Sequence, residues 1–381
     1  MKRFDVLVLG GGAAGCVLAS RLSENRDRTV CLVEAGPDYG PYPEGRWPAD
    51  ILDARRLALD SHCWVRNDQD DRSQLRARIL GGCSAHNACV VLRGAPSDYD
   101  EWGPGWSHAE LEPYLNRGER TLQSRRLGDE ELAPWYQAFR EAAGDDAIVH
   151  VVNAVGAVRW NAAFAYLDPS RGRTNLTILA DTLVDRVLTK DGVATGALAG
   201  GRELAADAVV VAAGSYGSPA VLLRSGIGPA DELGRHGIPL VAELPVGEGL
   251  TDHVGAGAAW EPTEQLRRET QAFERDRPLL MASVTVRGSC GRSATQRFSQ
   301  RDSKRCGSWS PAITPAVTRP PSYGRARRST RPRTSAQRPA VSSIRSGRAH
   351  SAPSSTSAVA CWASRTSTSS MHRSCRRSRG R

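Results

Sequence analysis

Residues 4–36 read FDVLVLGGGAAGCVLASRLSENRDRTVCLVEAG, and the order of residue types in this stretch decides the fold. Phe4 to Leu9 are apolar apart from Asp5 and run directly into Gly10, Gly11 and Gly12, the pattern of a buried parallel strand that ends in a tight turn. From Ala13 to Leu22 small and apolar residues recur (Ala14, Cys16, Val17, Leu18, Ala19, Leu22), which suits a helix packed closely on a sheet. Thr29 to Val33 then make a second apolar strand. Gly10-x-Gly12-x-x-Gly15 therefore has the strand, turn and helix that a dinucleotide fingerprint requires: a tight turn, bare backbone for a pyrophosphate, and close helix packing. Glu34 closes the second strand nineteen positions after Gly15, where a carboxylate can accept ribose hydroxyls. Its negative charge disfavours a 2′-phosphate, so NADP is the least suited dinucleotide and FAD and NAD remain.

The rest of the composition bounds the class. The chain has 381 residues, enough for a large two-domain enzyme. Its formal charge of +10 averages two unlike pieces: residues 1–286 carry 30 Lys and Arg against 40 Asp and Glu, and residues 287–381 carry 21 against 1. The acidic body argues against a specific nucleic-acid partner and for a folded enzyme. Nine cysteines form no C-x-x-C and no metal-like pairing with His, so no metal site is expected and nothing demands an oxidising compartment. The amino terminus reads as a strand, not a cleaved leader, and no run of eighteen apolar residues offers a membrane span. The default location is cytoplasmic.

A second glycine pair appears in residues 76–102, RARILGGCSAHNACVVLRGAPSDYDEW. Gly81 and Gly82 allow backbone amides close to a phosphate or ring, Ser84 and Asn87 add short polar groups, and Ala88 to Leu92 resume an apolar strand. Farther on, residues 207–229, DAVVVAAGSYGSPAVLLRSGIGP, give a strand over Val209–Ala212, a Gly/Ser turn and a helix running to Arg224. Ser107-x-x-Glu110 ahead of Leu111, Tyr114 and Leu115 is a capping box on an amphipathic helix. His62, His108, His150 and His236 stand isolated in sequence, which favours surface or satisfied-core positions over catalysis.

The 76–102 segment resembles the first signature of the glucose-methanol-choline (GMC) flavoenzyme family, matching at Arg78, Leu80, Gly81, Gly82, Ser84 and Asn87. Arg93-Gly94, Asp98-Tyr99-x-x-Trp102 and Glu34-Ala35-Gly36 are similar to the family pattern too. So is the stretch 161–187, NAAFAYLDPSRGRTNLTILADTLVDRV, which puts Val184 where a backbone contact to adenine is expected. Residues 207–229 look like the second signature, and 244–253, LPVGEGLTDH, like the family's Val-Gly-x-x-Leu-x-Asp-His element. The resemblance covers roughly residues 4–286. It implies FAD as cofactor, with Gly10, Gly12, Ala14, Gly15, Glu34, Ala35, Arg78, Gly81, Gly82, Ser84, His86, Asn87 and Val184 lining its site. It also implies oxidation of the CH–OH group of a small alcohol by hydride transfer to flavin N5, with oxygen or a quinone-like acceptor reoxidising the flavin. At position 86 choline-oxidase-like members also carry His, bonded covalently to the flavin 8-methyl group; His86 either forms that bond or only hydrogen-bonds near the ring. The implied fold is an α/β Rossmann-like FAD-binding domain over 1–255, with substrate-side segments inserted around 90–160, and the start of an incomplete α+β substrate domain over 256–286.

Residues 287–381 break the pattern. They contain 22 Ser and 20 Arg, a single acid, Asp302, and no sustained apolar periodicity, so they read as a disordered basic tail. A net charge of +20 there could attract polyanions. The genetic code offers another reading. When each codon's last base joins the next codon's first two, Cys361-Trp362 must give Leu, Trp362-Ala363 must give Gly, and Met371-His372 must give Ala. With TCN serines the shifted frame over residues 361–376 permits LGIEDLHVVDASVVP, which resembles the carboxy-terminal GMC stretch ending in Val-Asp-Ala-Ser before Pro. The expectation is a frame slip near residues 284–292 and non-native sequence after it. The family's carboxy-terminal His base and its His or Asn partner are then missing, His350 and His372 take no role, and turnover is impaired; the alternative is an inactive FAD-binding remnant, and a third reading is a basic-tail nucleic-acid binder.

Overall fold

The apolar run at the amino terminus lies in the middle of a six-stranded sheet in the computed structural model, which describes residues 3–58, 61–64, 75–250, 262–277, 280 and 284–286. The Ser/Arg-rich segment 287–381, with His350 and His372, lies outside the described residues, as do Asp252 and His253. In chain order the amino-terminal half contains β1 (Arg3–Leu9), α1 (Ala13–Leu22), β2 (Val30–Val33), α2 (Ala49–Leu52), β3 (Val90–Val91), α3 (Pro96–Asp100), α4 (His108–Thr121), β4 (Arg125–Arg126), α5 (Pro134–Ala143), β5 (Ala147–Val149), β6 (Val151–Val152), β7 (Ala154–Val155) and β8 (Val158–Arg159). It continues with β9 (Leu176–Leu179), β10 (Val184–Lys190), β11 (Val193–Ala199), β12 (Arg202–Val211), α6 (Gly214–Arg224), α7 (Ala230–Arg235), α8 (Glu264–Asp276) and β13 (Val284–Val286).

The large sheet has the order β10-β11-β12-β1-β2-β9, and β12, β1, β2 and β9 run parallel. Period-two alternation divides its side chains between two cores. Val8, Val30 and Leu32 pack beneath α1 with Cys16, Ala19, Leu80 and Phe164, while Leu7, Leu9, Cys31 and Val33 face Val184, Val187, Ala206 and Val221 on the other side. Covered on both faces, β2 is wholly buried, which is why its sequence is a continuous apolar run and not an alternating one. Asp5 does not break β1, because its carboxylate accepts the N–H and hydroxyl of Thr29 at 2.6 and 2.7 Å where β2 begins. Those bonds hold the Asp5 carboxyl below its ordinary range.

Two expected strands differ from the sequence reading. The strand expected over 209–212 begins at Arg202, since its first half pairs antiparallel with β11 (Gly196 to Ala205, Ala199 to Arg202) before its second half joins β1. The strand expected over 88–92 is reduced to Val90–Val91: the Asn87 side chain accepts the Cys89 N–H at 3.0 Å and Cys89 adopts φ 61°, a turn that delays pairing. The capping box forms, with Glu110 Oε2 accepting the Ser107 N–H at 3.0 Å and Ser107 Oγ accepting the Glu110 N–H at 3.3 Å. The helix is amphipathic as expected but shallowly packed: Leu111 and Leu115 are half-buried on one face, no residue is fully buried, and Tyr114 is 66% exposed.

Smaller sheets carry the inserted segment. β3, β6 and β4 form one antiparallel sheet, β7 and β8 a hairpin, and β13 pairs with β5. A third core of Ala54, Cys89, Leu127, Leu132, Val152, Ala154 and Leu280 lies under them. Among the described residues no helix is long and apolar enough to cross a membrane.

Candidate functional site

Parallel strands that stop together leave a crevice at their carboxyl ends, and the glycine turn sits in it. Gly10 N–H donates to Val33 O at 2.8 Å and Ala212 N–H to Leu9 O at 2.7 Å, so β1, β2 and β12 end side by side. The turn then folds back so tightly that a Cβ on Gly15 would stand 1.8 Å from Gly10 O, a contact only glycine permits. Gly12 caps α1 with no side-chain bond, and no acidic residue occupies the first turn. The first-turn N–H groups, those of Ala13 and exposed Ala14 among them, have no acceptor inside the helix and present partial positive charge at its end. This is an anion site of the kind that takes a pyrophosphate.

Glu34 braces that turn. It is 7% exposed, and its Oε2 accepts the Gly11 N–H at 2.7 Å while its Oε1 accepts the Gly36 N–H at 2.8 Å. Burial pushes its carboxyl up, against the pull of the Gly36, Gly11 and Ala35 amides. Each oxygen retains a second lone pair, so bracing the loop and accepting a ribose hydroxyl are compatible. Ala35 offers its carbonyl to Arg78 Nε at 3.1 Å, and the Arg78 guanidinium lies over the Trp64 ring with its carbon 5.5 Å from the centroid.

The second glycine pair closes on the first. Gly81 N–H donates to Gly11 O at 2.8 Å, and a Cβ on Gly82 would lie 2.6 Å from Gly12 Cα. Ser84 Oγ donates to Gly81 O at 2.6 Å and accepts the Ala162 N–H at 3.0 Å, pinning this loop to the segment that begins at Asn161. Asn87 spends its side-chain oxygen on the local turn at Cys89. Val184 is buried at the head of β10, opposite Ala199, and its carbonyl accepts from Arg224 at 3.3 Å; the Thr182 N–H bond to Glu34 O places this strand start beside the end of β2.

His86 is 4% exposed, its Nδ1 lies 4.0 Å from Cys63 Sγ, and its Nε2 has no hydrogen-bond partner among the described residues. Burial, helped by the charges of Arg159 and His62, pulls its pKa down to about 4, which leaves a neutral imidazole at physiological pH. A buried nitrogen without a partner, bare backbone at Gly12 and an uncapped helix terminus together fit a dinucleotide that brings its own acceptors and ring.

The structure also brings in residues to which the sequence reading gave no role in the site. Arg159 is fully buried and donates to the carbonyls of Ile51, Asp53 and Arg56. His62, isolated in sequence, is hydrogen-bonded in space: Tyr39 OH lies 2.7 Å from its Nε2, and Ser61 Oγ lies 2.7 Å from its Nδ1 and donates to Asp50. Asn161 is wholly buried with an unpartnered Nδ2. Only Asn161 stood in a stretch already tied to the cofactor.

The comparisons agree with this geometry. The family model described as GMC oxidoreductase matches residues 4–154 and 145–255. The 5-(hydroxymethyl)furfural oxidase of Methylovorus sp. (strain MP688) is 35% identical over 324 residues, covering 70% of this chain and 60% of that protein. Mitochondrial choline dehydrogenase of Homo sapiens is 35% identical over 300 residues, covering 66% of this chain and 50% of that protein. Among solved structures, pyridoxine 4-oxidase from Mesorbium loti has a TM-score of 0.56 at 29% identity, covering 64% of this chain and 56% of that one. The chain thus spans between 50% and 60% of the length of these relatives. With the family model spanning well over half of its residues, the chain belongs to the GMC oxidoreductase family.

Proposed function

We propose that this chain binds FAD at the open end of α1, against the surface that the two touching glycine loops present together, and is, by family, an oxidoreductase acting on the CH–OH group of a small alcohol. The observation that carries the reading is the apposition of Gly12 and Gly82, which leaves two backbone surfaces without side chains beside the open end of α1. The amides of Gly12, which caps α1, and of Ala14 in its first turn hold the pyrophosphate, with Gly10 and Gly15 shaping the turn. Glu34 accepts the ribose hydroxyls, Ala35 and Arg78 close the loop beside it, and the Val184 backbone meets the adenine. Gly81, Gly82, Ser84, His86 and Asn87 line the ring side. When bound, the flavin supplies the acceptor for the hydride leaving the alcohol carbon. An alcohol substrate agrees with the relatives named as a 5-(hydroxymethyl)furfural oxidase and choline dehydrogenases. Oxygen or a quinone-like compound is the terminal acceptor. The test is a titration of purified protein with FAD: yellow absorbance retained after desalting, with quenching of tryptophan fluorescence, is expected, and protein that stays colourless removes the reading.

His86 can meet the ring in either of two ways. With its proton on Nδ1, the unpartnered Nε2 holds the lone pair that covalent attachment needs; with the proton on Nε2, it only hydrogen-bonds. Acid precipitation of FAD-loaded protein separates the two: colour in the pellet supports the bond to His86, and colour released entirely to the supernatant refutes it.

Turnover is impaired in this reading. None of the described residues is assigned as the base that takes the hydroxyl proton, a group worth roughly 10²–10⁴ in rate. The expected behaviour is FAD uptake with slow or no bleaching when alcohols are added without oxygen. Bleaching at rates usual for flavoenzymes would overturn the impairment while leaving the cofactor assignment intact.

A further inference from the structure

The parallel part of the large sheet stops one strand short. Its parallel strands β9, β2, β1 and β12 lie in the order 3-2-1-4 of a doubly wound sheet, in which the next strand adds beside strand 4. Among the described residues nothing pairs there. β11 covers β12 only from Arg202 to Ala205, and the following stretch, Ala206 to Val211, has β1 on one side and no strand on the other.

The register fixes which backbone groups face the open side. Leu9 pairs with Val211, and its carbonyl accepts the Ala212 N–H. Successive residues of a strand turn their polar groups to alternate sides, so Ala208, Val210 and Ala212 bond to β1 while Asp207, Val209 and Val211 point outward. Burial agrees with this. Leu7, Val8 and Leu9 are fully buried, whereas Val209, Val210 and Val211, their partners in the same rows, are half-buried and Ala208 is exposed. Val210 packs into the core beneath α1 and Val209 and Val211 into the core opposite, so both faces are covered and the exposure comes from the absent neighbour.

An edge between two covered faces takes a strand that is apolar on both of its own faces, a β-branched run and not an alternating one. The shifted frame over residues 361–376 permits one, LHVVDASVV before a proline, interrupted by one acid as β1 is by Asp5. We propose that the outer edge of β12 from Ala206 to Val211 is a docking site for one added strand, and that its occupant is the peptide this frame permits, so that the chain and the segment lost to the frame slip recombine without a covalent link. The edge is built from backbone and valines, and the inference stands apart from the FAD reading.

The test adds a labelled synthetic peptide, LGIEDLHVVDASVVP, to the full chain. Fluorescence anisotropy should show saturable binding at least tenfold tighter than for a scrambled peptide of the same composition. Residue-resolved hydrogen exchange should show the Asp207, Val209 and Val211 amides slowed at least tenfold by the peptide, with Ala208 and Val210, already bonded to β1, unchanged. Two further peptides carry N-methyl groups on alternate residues of HVVDAS in opposite phase. One phase should lose binding at least tenfold and the other keep it, because only alternate amides of an added strand face β12. Absence of saturable binding, equal binding of the scrambled peptide, or equal loss in both N-methyl phases would overturn the docking site. So would Val209 and Val211 amides already protected in the free chain; a dimer in sedimentation would then identify a second copy as the occupant, and a monomer the chain's own remainder.

Discussion

Gly82 lies so close to Gly12 that a Cβ on Gly82 would come within 2.6 Å of the Gly12 Cα, while a Cβ on Gly12 would meet nothing nearer than 3.9 Å. The asymmetry separates two kinds of damage. Gly82 also adopts φ 56°, where an L side chain costs about 1–2 kcal/mol before any clash. Gly12→Ala adds its methyl at φ −73°, a conformation alanine accepts. Gly82→Ala is therefore expected to lower unfolding stability by about 2 kcal/mol or more and to weaken FAD. Gly12→Ala is expected to leave stability within about 0.5 kcal/mol and to weaken FAD because its methyl covers bare backbone at the open end of α1. Denaturant unfolding and FAD titration of the two variants check this; equal stability losses would mean the two loops do not touch as described.

His86 makes the fold sensitive to acid. Its pKa falls from 6.5 to about 4 because the protonated ring is disfavoured where it is buried. The folded state then binds fewer protons than the unfolded chain between those values, so the stabilising contribution is fully present above pH 6.5 and is lost as pH falls toward 4. The shift corresponds to about 3 kcal/mol. Unfolding free energies measured across this window should fall more steeply for the parent than for His86→Gln, which has no titrating ring. Parallel profiles would show that His86 is solvated.

Arg159 holds a loop together without a carboxylate. Its guanidinium donates to the backbone carbonyls of Ile51, Asp53 and Arg56, and it makes no ion pair among the described residues. Burial lowers its pKa; its bond to the Ile51 carbonyl is buried and those to Asp53 and Arg56 are half-buried. Arg159→Met is expected to cost about 3 kcal/mol or more, the penalty for leaving buried polar groups unpaired. Since Arg159 also helps keep His86 neutral, the variant should raise the pKa of His86, which the pH profile described for His86 would detect as a shallower acid limb.

Arg159 and Asn161 also mark the boundary of what the sequence makes legible. The helix Ala13–Leu22 matches its expected ends, and β2 begins one residue late, because strand, turn and helix there are set by neighbours in sequence. The capping of α4 by Ser107 and Glu110 is local in the same way. Arg202 as the start of β12 is not legible, since an antiparallel partner at Ala199 extends the strand. Glu34 was legible as an acid at the end of β2, but not its grip on Gly11 and Gly36, which depends on how the turn folds back. Arg159 reaches carbonyls more than a hundred positions earlier, and Asn161 meets a glycine eighty positions earlier, so neither carries a local signal. His62 acquires its partner Tyr39 across 23 positions, while its other partner, Ser61, is its neighbour in sequence.

The family match ends at residue 255, β13 at Val284–Val286 still pairs with β5, and from Arg287 onward Ser and Arg dominate with one acid in 95 residues. A natural basic arm needs only positive charge, and has no reason for its neighbouring frame to permit LGIEDLHVVDASVVP. We propose that one or two bases were lost or gained near codons 284–292. Sequencing the gene across that junction should show the slip, and restoring the frame should return a chain that continues the family pattern to a Val-Asp-Ala-Ser stretch. The restored protein should bleach with alcohols faster than the chain described above, because the carboxy-terminal base would be present. An intact reading frame whose downstream alternative carries no such stretch would refute the slip and leave the basic segment to be explained by charge alone.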